Sequence, residues 1–119
     1  EGEIVITPGY DLPCKFVAHV VGPKAHQSAQ QLEQCYSKCY DALEQLNCNS
    51  ICFPCISCGV FGFNAEVAAR IAVKTSIAWL REHKRQIDIT FLIHPRDKKN
   101  LELYEKLLRQ ISQPHPQTL

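Results

Sequence analysis

The sequence has no methionine, a single tryptophan, and only five glycines in 119 residues. No apolar run approaches the roughly 20 residues that carry a helix across a bilayer, so no membrane-spanning helix is expected. Net charge is +1, from 13 Lys and Arg against 12 Asp and Glu. That balance leaves no basic excess to hold a phosphate backbone, so neither DNA nor RNA is an expected partner. No lysine follows a glycine loop in the P-loop manner, and no G-x-G-x-x-G is present. No Ser/His/Asp order or pair of carboxylates points to hydrolysis by the usual constellations. The chain opens on Glu1 without a signal peptide and, lacking methionine altogether, is expected to be a piece of a longer protein.

What is there is globular in balance. Hydrophobic residues make up 45% and charged residues 21%, enough apolar content for one packed domain and too much for a disordered chain. Seven cysteines stand at positions 14, 35, 39, 48, 52, 55 and 58. Their number is odd and most lie inside periodic apolar segments, whereas secreted disulfide frameworks are loop-rich with an even count. They are read as reduced thiols acting as small hydrophobes, which points to the nucleus or cytoplasm.

Residues 3–7 alternate in the manner of a strand, and Pro8-Gly9-Tyr10-Asp11 is turn chemistry. Residues 14–21 form a second strand ended by Gly22-Pro23, so an antiparallel hairpin is one reading of the pair. From 28 to 46 the apolar positions Leu32, Cys35, Tyr36, Cys39, Tyr40, Leu43 and Leu46 fall on one helical face, with Ser28 as N-cap. Residues 51–56 are apolar almost throughout, as in a strand buried on both faces. Pro54 cannot donate to a ladder, so a strand end or bulge is expected there. Asn64 caps a helix over 65–80 whose inward face is Val67, Ala68, Ile71, Ala72, Thr75, Ala78 and Trp79. Residues 87–94 read as another buried strand. A helix over 98–111, capped by Asp97, points Leu101, Tyr104, Leu107, Leu108 and Ile111 inward. Residues 112–119 are a Pro- and Gln-rich tail or linker. From Cys14 onward, strands alternating with helices predict parallel strands with right-handed crossovers.

The chain is organised around residues 51–70. A strand there delivers a loop with Gly59 and Gly62 onto the helix N-terminus at Asn64. Glycine permits backbone angles that turn successive N–H groups inward, and the helix dipole adds positive potential. Phosphate is the usual guest of that geometry. Ligands of parallel sheets sit beyond the carboxyl ends of the strands, and the loops at 57–63 and 94–96 both leave such ends.

Phe53-Pro54-Cys55-Ile56-Ser57-Cys58-Gly59-Val60-Phe61-Gly62-Phe63 resembles the F-P-x-I-S-[ST]-G-[IV]-[FY]-G-[FY] loop of macro domains, α/β modules that bind ADP-ribose. Upstream, Gly2-Glu3, Thr7-Pro8-Gly9, Leu12-Pro13-Cys14-Lys15 and His19-Val20-Val21-Gly22-Pro23 resemble a second family segment, in the right order and separation. The wording is most similar to macro domains found in tandem in some ADP-ribosyltransferases. The resemblance implies a three-layer α-β-α macro-like mixed sheet over residues 1–111, incomplete at its N-terminus. The family's leading strands, its adenine-reading aspartate, its N-A-A-N motif and its first glycine-rich loop have no counterpart here.

The resemblance further implies that Ser57, Cys58, Gly59, Val60 and Phe61 hold the diphosphate through backbone N–H groups. By the same implication Phe61 walls the distal ribose, Gly62 is a further ligand-binding residue of the loop, and His94 lies near the adenine. Cys58 stands where the family has Ser or Thr, and a thiol is a weaker donor than a hydroxyl. The implied ligand is ADP-ribose, free or attached to a protein, with no cofactor. Hydrolysis of ADP-ribose is an alternative that needs the missing asparagine, and a ligand-free interaction module is another. A companion chain or self-association that completes the fold is also expected, because missing strands leave an apolar face open.

Other constellations carry less. His19, between Ala18 and Val20, reads as a half-buried structural histidine. Lys15 beside Cys14 points to the opposite face of a strand. Cys52, Cys55 and Cys58 have a metal-like spacing, but residues three apart on a strand point to opposite faces, so no metal is expected.

Overall fold

The structure is a computed structural model and describes residues 4–20, 29–56 and 64–112. Its elements run β1 (Ile4–Pro8), β2 (Phe16–Val20), α1 (Ala29–Gln45), β3 (Ser50–Phe53), α2 (Ala65–His83), β4 (Asp88–Phe91) and α3 (Lys98–Ser112). The expected helix N-cap Ser28, the glycine loop at 57–63 and the tail beyond 112 lie outside the described residues.

The hairpin forms as an antiparallel pair, with Ile4 opposite Val20 and Pro8 opposite Phe16. Its connection is tight. Gly9 N–H donates to the Lys15 carbonyl at 2.9 Å, and Leu12 N–H donates to the Gly9 carbonyl at 2.9 Å. A Cβ on Gly9 would fall 2.0 Å from the Cys14 carbonyl oxygen, so only glycine fits there. The second strand begins at Phe16 rather than Cys14 because Cys14 and Lys15 are used in this turn.

β3 and β4 pair in parallel, Ser50 opposite Asp88 and Phe53 opposite Phe91. Among the described residues the two pairs are separate two-stranded sheets. The sheet strands are therefore of both senses, as an α/β mixed arrangement requires. The expected parallel pairing holds for β3 and β4, and β2 pairs antiparallel with β1, the hairpin that was one reading of that pair.

Two strands were expected to be buried on both faces, and neither is. Along β3, Ser50 and Cys52 are exposed while Ile51 and Phe53 point inward. Along β4, Ile89 and Phe91 are half-buried and Thr90 is exposed. A two-stranded sheet with its helices on one side alternates in this way. β3 ends at Phe53, just before Pro54, and β4 ends at Phe91, its partner in register.

The core is built on Phe53. Its ring meets Tyr36 edge to face at 5.0 Å and Tyr40 at 5.4 Å, and stacks on Phe91 at 6.0 Å. Leu32, Cys35, Tyr36, Cys39, Tyr40 and Leu43 form the buried stripe of α1, as their spacing predicts. α2 buries Ala68, Ala69, Ala72 and Val73 in the core and meets α1 through Ser76 and Trp79. Tyr40 stacks on Trp79 at 5.2 Å and donates to the Ser76 hydroxyl, which donates to the Ala72 carbonyl at 2.7 Å.

The inward face of α2 is rotated from the expected one. Ala69, Val73 and Ser76 are buried, whereas Val67 and Ala78 are exposed. Asn64 Oδ1 accepts from the N–H groups of Glu66 and Val67 at 3.0 and 3.2 Å, an N-cap as expected. The helix continues to His83 and closes at Lys84, which takes a left-handed conformation and donates its N–H to the Leu80 carbonyl.

Candidate ligand site at the sheet end

Parallel pairing brings the ends of β3 and β4 side by side, and Leu92 N–H extends the ladder by donating to the Phe53 carbonyl at 2.7 Å. Residues 54–56 leave this end toward the α2 N-terminus. Residues 92–97 leave it toward α3. Of the expected ligand residues, His94 is described and lies on the second path. Ser57, Cys58, Gly59, Val60, Phe61 and Gly62 lie outside the described residues.

His94 is exposed, and its Nδ1 accepts from the Arg96 N–H at 3.0 Å. The His94 carbonyl accepts from Asp97 N–H at 2.9 Å, closing a turn. Asp97 then caps α3. Its carboxylate accepts from the Asn100 N–H at 3.2 Å and from Asn100 Nδ2 at 2.8 Å. These two bonds from Asn100 hold its pKa below the ordinary carboxylate value. The imidazole thus stands on a short, braced turn at the sheet end.

The first path is braced differently. Cys55 and Ile56 follow Pro54, beyond the strand ladder, and one buried phenol reaches the first of them. Tyr104 of α3 donates to Cys55 Sγ at 3.9 Å. Tyr36 of α1 packs its ring edge to face on Phe53, at the end of β3. Burial, foremost, raises the pKa of both phenols, so both stay protonated. The spacing of the tyrosines announces only an inward helix face, so the reach of Tyr104 to Cys55 is not visible in the sequence.

The cysteines divide. Cys14 and Cys52 are exposed thiols, Cys48 is half-buried, and Cys35 and Cys39 are buried in the core. Burial pushes the Cys39 thiol up to about 12 and raises Cys35 as well. A thiol held in its protonated form is a poor metal ligand. Among the described residues no three of His, Cys, Asp and Glu gather to hold a metal. Cys55 is disulfide-bonded, which corrects the reading of every cysteine as a reduced thiol. The strand rule that separates residues three apart does not govern Cys55, since β3 has ended at Phe53.

His19 is exposed rather than half-buried, because the outer face of the hairpin is uncovered. Its Nε2 pairs with the Thr7 hydroxyl across the strands at 2.9 Å. A shallow groove of about 220 Å³ lies elsewhere, between α2 and α3, lined by Arg70, Lys74, Lys106, Leu103 and others.

Parallel strands ending beside a capped helix N-terminus define a class of α/β modules that take ligands beyond the strand ends. The family follows from comparison. The macro domain family profile matches residues 1–72. Over 92 residues the chain is 42% identical to the ADP-ribose glycohydrolase MACROD1 of Bos taurus, a match covering 73% of this chain and 28% of that protein. Over 111 residues it is 36% identical to a protein-ADP-ribose hydrolase of Staphylococcus aureus, covering 88% of this chain and 41% of that one. The solved macrodomain of Oceanobacillus iheyensis with ADP matches at a TM-score of 0.80 and 32% identity, covering 92% of this chain and 58% of that one. The chain belongs to the macro domain family. It spans less than half the length of the two curated relatives named here.

Proposed function

We propose that this chain carries the diphosphate and distal-ribose side of an ADP-ribose site, together with part of the adenine wall. The observation that carries this reading is the side-by-side ending of β3 and β4, which sends residues 54–56 and His94 out of one sheet end. In this reading, backbone N–H groups of Ser57, Cys58, Gly59 and Val60 bind the diphosphate. Phe61 and Gly62 lie at the distal ribose, and His94 lies against the base. The ligand is ADP-ribose, free or as a modification on a protein, met in the nucleus or cytoplasm. No cofactor takes part. The relatives' names, which speak of ADP-ribose, and the neighbour's bound ADP support the ligand class.

The second reading is hydrolysis of an ADP-ribose linkage, favoured by the likeness to two named hydrolases. Residues 57–63 contain no histidine or carboxylate to act as its general base. Hydrolysis would rest on groups outside this sequence.

Exposed apolar residues of the hairpin support a further part of the reading. Val5 and Phe16, on opposite faces of the hairpin, and Leu12, in its turn, are exposed, Val5 at 60% and Leu12 at 59%. We read these residues as covered by the rest of a full-size macro domain, since the solved neighbour is longer than the match.

Calorimetric titration with ADP-ribose, with AMP as control, tests the ligand. The expected result is saturable binding to ADP-ribose that Gly59→Glu abolishes. The titration is run on the 119-residue chain and on the protein in its natural full length. Absence of heat from both at high micromolar ligand overturns the reading.

A further inference from the structure

We propose that the groove between α2 and α3 docks an acidic amphipathic helix of a partner protein. The partner sets an aliphatic side chain against Leu103 and Leu107 and its carboxylates against Arg70, Lys74 and Lys106. The inference goes beyond the ADP-ribose reading and does not depend on it.

The groove follows from topology. β3 and β4 are parallel, so α2 and α3 leave the same sheet end and run back in the same direction. α2 packs against both α1 and α3. Toward α3 it turns Glu66, Arg70 and Lys74, at successive turns. From α3 come Leu103 and Leu107, one turn apart, and Lys106. Between them lies a space of about 220 Å³.

Its charge is one-sided. Three cations stand against the single carboxylate of Glu66, in a chain whose net charge is only +1. Arg70 donates to Glu66 at 2.7 Å, but both side chains are 56% exposed. So exposed a pair contributes little, and Arg70 can exchange Glu66 for an incoming carboxylate. Lys74 and Lys106 are exposed and hold no ion pair among the described residues. The floor is apolar. Leu103 and Leu107 touch the core yet are only half-buried. A purely anionic partner leaves these leucines wet, and a purely apolar one leaves the lysines without carboxylates.

The dimensions select a polypeptide. Small-molecule pockets run to about 300–1,000 Å³, and this groove is smaller. Among the described residues no aromatic ring lines it to stack a base, and Glu66 repels a phosphate chain. A helix laid along two neighbouring helices reaches their groove with apolar residues at i, i+3 and i+4. The lining covers about two turns of each helix, roughly 11 Å. Contact is therefore small, and the association is of the weak, transient kind.

The test uses the full-length protein and a fluorescein-labelled peptide of about 15 residues, long enough to begin to hold a helix. Its leucines stand at helical spacing and its other residues are mostly glutamate. Two control peptides carry lysine for glutamate or alanine for leucine. Fluorescence anisotropy is expected to show saturable binding of the leucine–glutamate peptide, with each control at least about tenfold weaker. Lys74→Glu combined with Lys106→Glu is expected to lower that affinity by at least about tenfold and to turn the preference toward the lysine peptide. Both positions are exposed, so the double variant is expected to keep its melting temperature. Unchanged affinity in the double variant overturns the proposal, as does an alanine peptide that binds as tightly as the leucine one. So does absence of binding at about 1 mM peptide. Self-association of the protein that the double variant abolishes assigns the groove to a second copy and overturns it too.

Discussion

Leu92 N–H donates to the carbonyl oxygen of Phe53 at 2.7 Å, one residue past the end of β4. This bond ties the exits of two parallel strands together. The connections at 54–64 and 92–97, on which the proposed ligand site rests, therefore begin side by side. Residues about 40 apart in sequence become neighbours through one ladder rung.

Phe53 is the packing hub of that end, touching Tyr36, Tyr40 and Phe91. Phe53→Ala is expected to cost about 3–5 kcal/mol by lost burial and the cavity left behind. Phe53→Leu keeps most of the volume and is expected to cost about 1–2 kcal/mol through lost aromatic pairs. Urea unfolding measures both. Equal costs for the two substitutions would contradict a hub that depends on aromatic contact.

Gly9 is fixed by crowding. With the Cys14 carbonyl oxygen 2.0 Å from any added Cβ, the turn must open to admit alanine. Gly9→Ala is expected to destabilise by about 1–3 kcal/mol, the usual range for forcing atoms into a packed place. Amide exchange at residues 4–20 is expected to rise. A variant with unchanged melting temperature and hairpin protection would show that the turn has slack.

Alkaline conditions are expected to weaken the fold. Burial pushes the Cys39 thiol up to about 12 from an ordinary 9.0. Burial likewise raises the Tyr40 phenol, from an ordinary 10.0 to about 12, although its bond to Ser76 pulls the other way. The unfolded chain ionises first, so above about pH 9 the folded state holds more protons than the unfolded one. The stability linked to these groups is complete below pH 9 and is lost as pH rises toward 12. Urea midpoints from pH 7 to 11 should fall with a slope that Cys39→Ala makes shallower. A flat profile would contradict the buried, protonated thiol.

Asn64 accepts two N–H groups at the start of α2, where the loop ends. Asn64→Ala is expected to cost about 1 kcal/mol, the usual loss for an N-cap. Asn64→Ser, which caps as well, is expected to restore nearly all of it in the same urea experiment. Equal stability of the alanine and serine variants would remove the cap from the account.

The stripe of α1 was legible because six inward residues stand against polar ones at helical spacing. α2 was less so. Alanines surround it on several sides, so the sequence offers little contrast to tell Ala69 and Val73 from Val67 and Ala78. α3 misled at its outer end, where Leu108 and Ile111 are exposed at 45% and 44%. An apolar residue points inward only where another element is there to cover it. Strand ends depended on pairing, which residues 87–94 alone do not reveal. The loop at 57–63 was legible as a motif. The reach of the Tyr104 hydroxyl to Cys55 was not, since a tyrosine on an apolar stripe looks the same whether its oxygen is used or idle.

The most direct test of the sheet-end site is to follow backbone amide chemical shifts of the full-length protein during titration with ADP-ribose. The account predicts the largest changes at residues 55–63 and 92–96, including Ile56 and His94. Changes confined to the groove of Arg70, Lys74 and Lys106, or no changes at all, would contradict it.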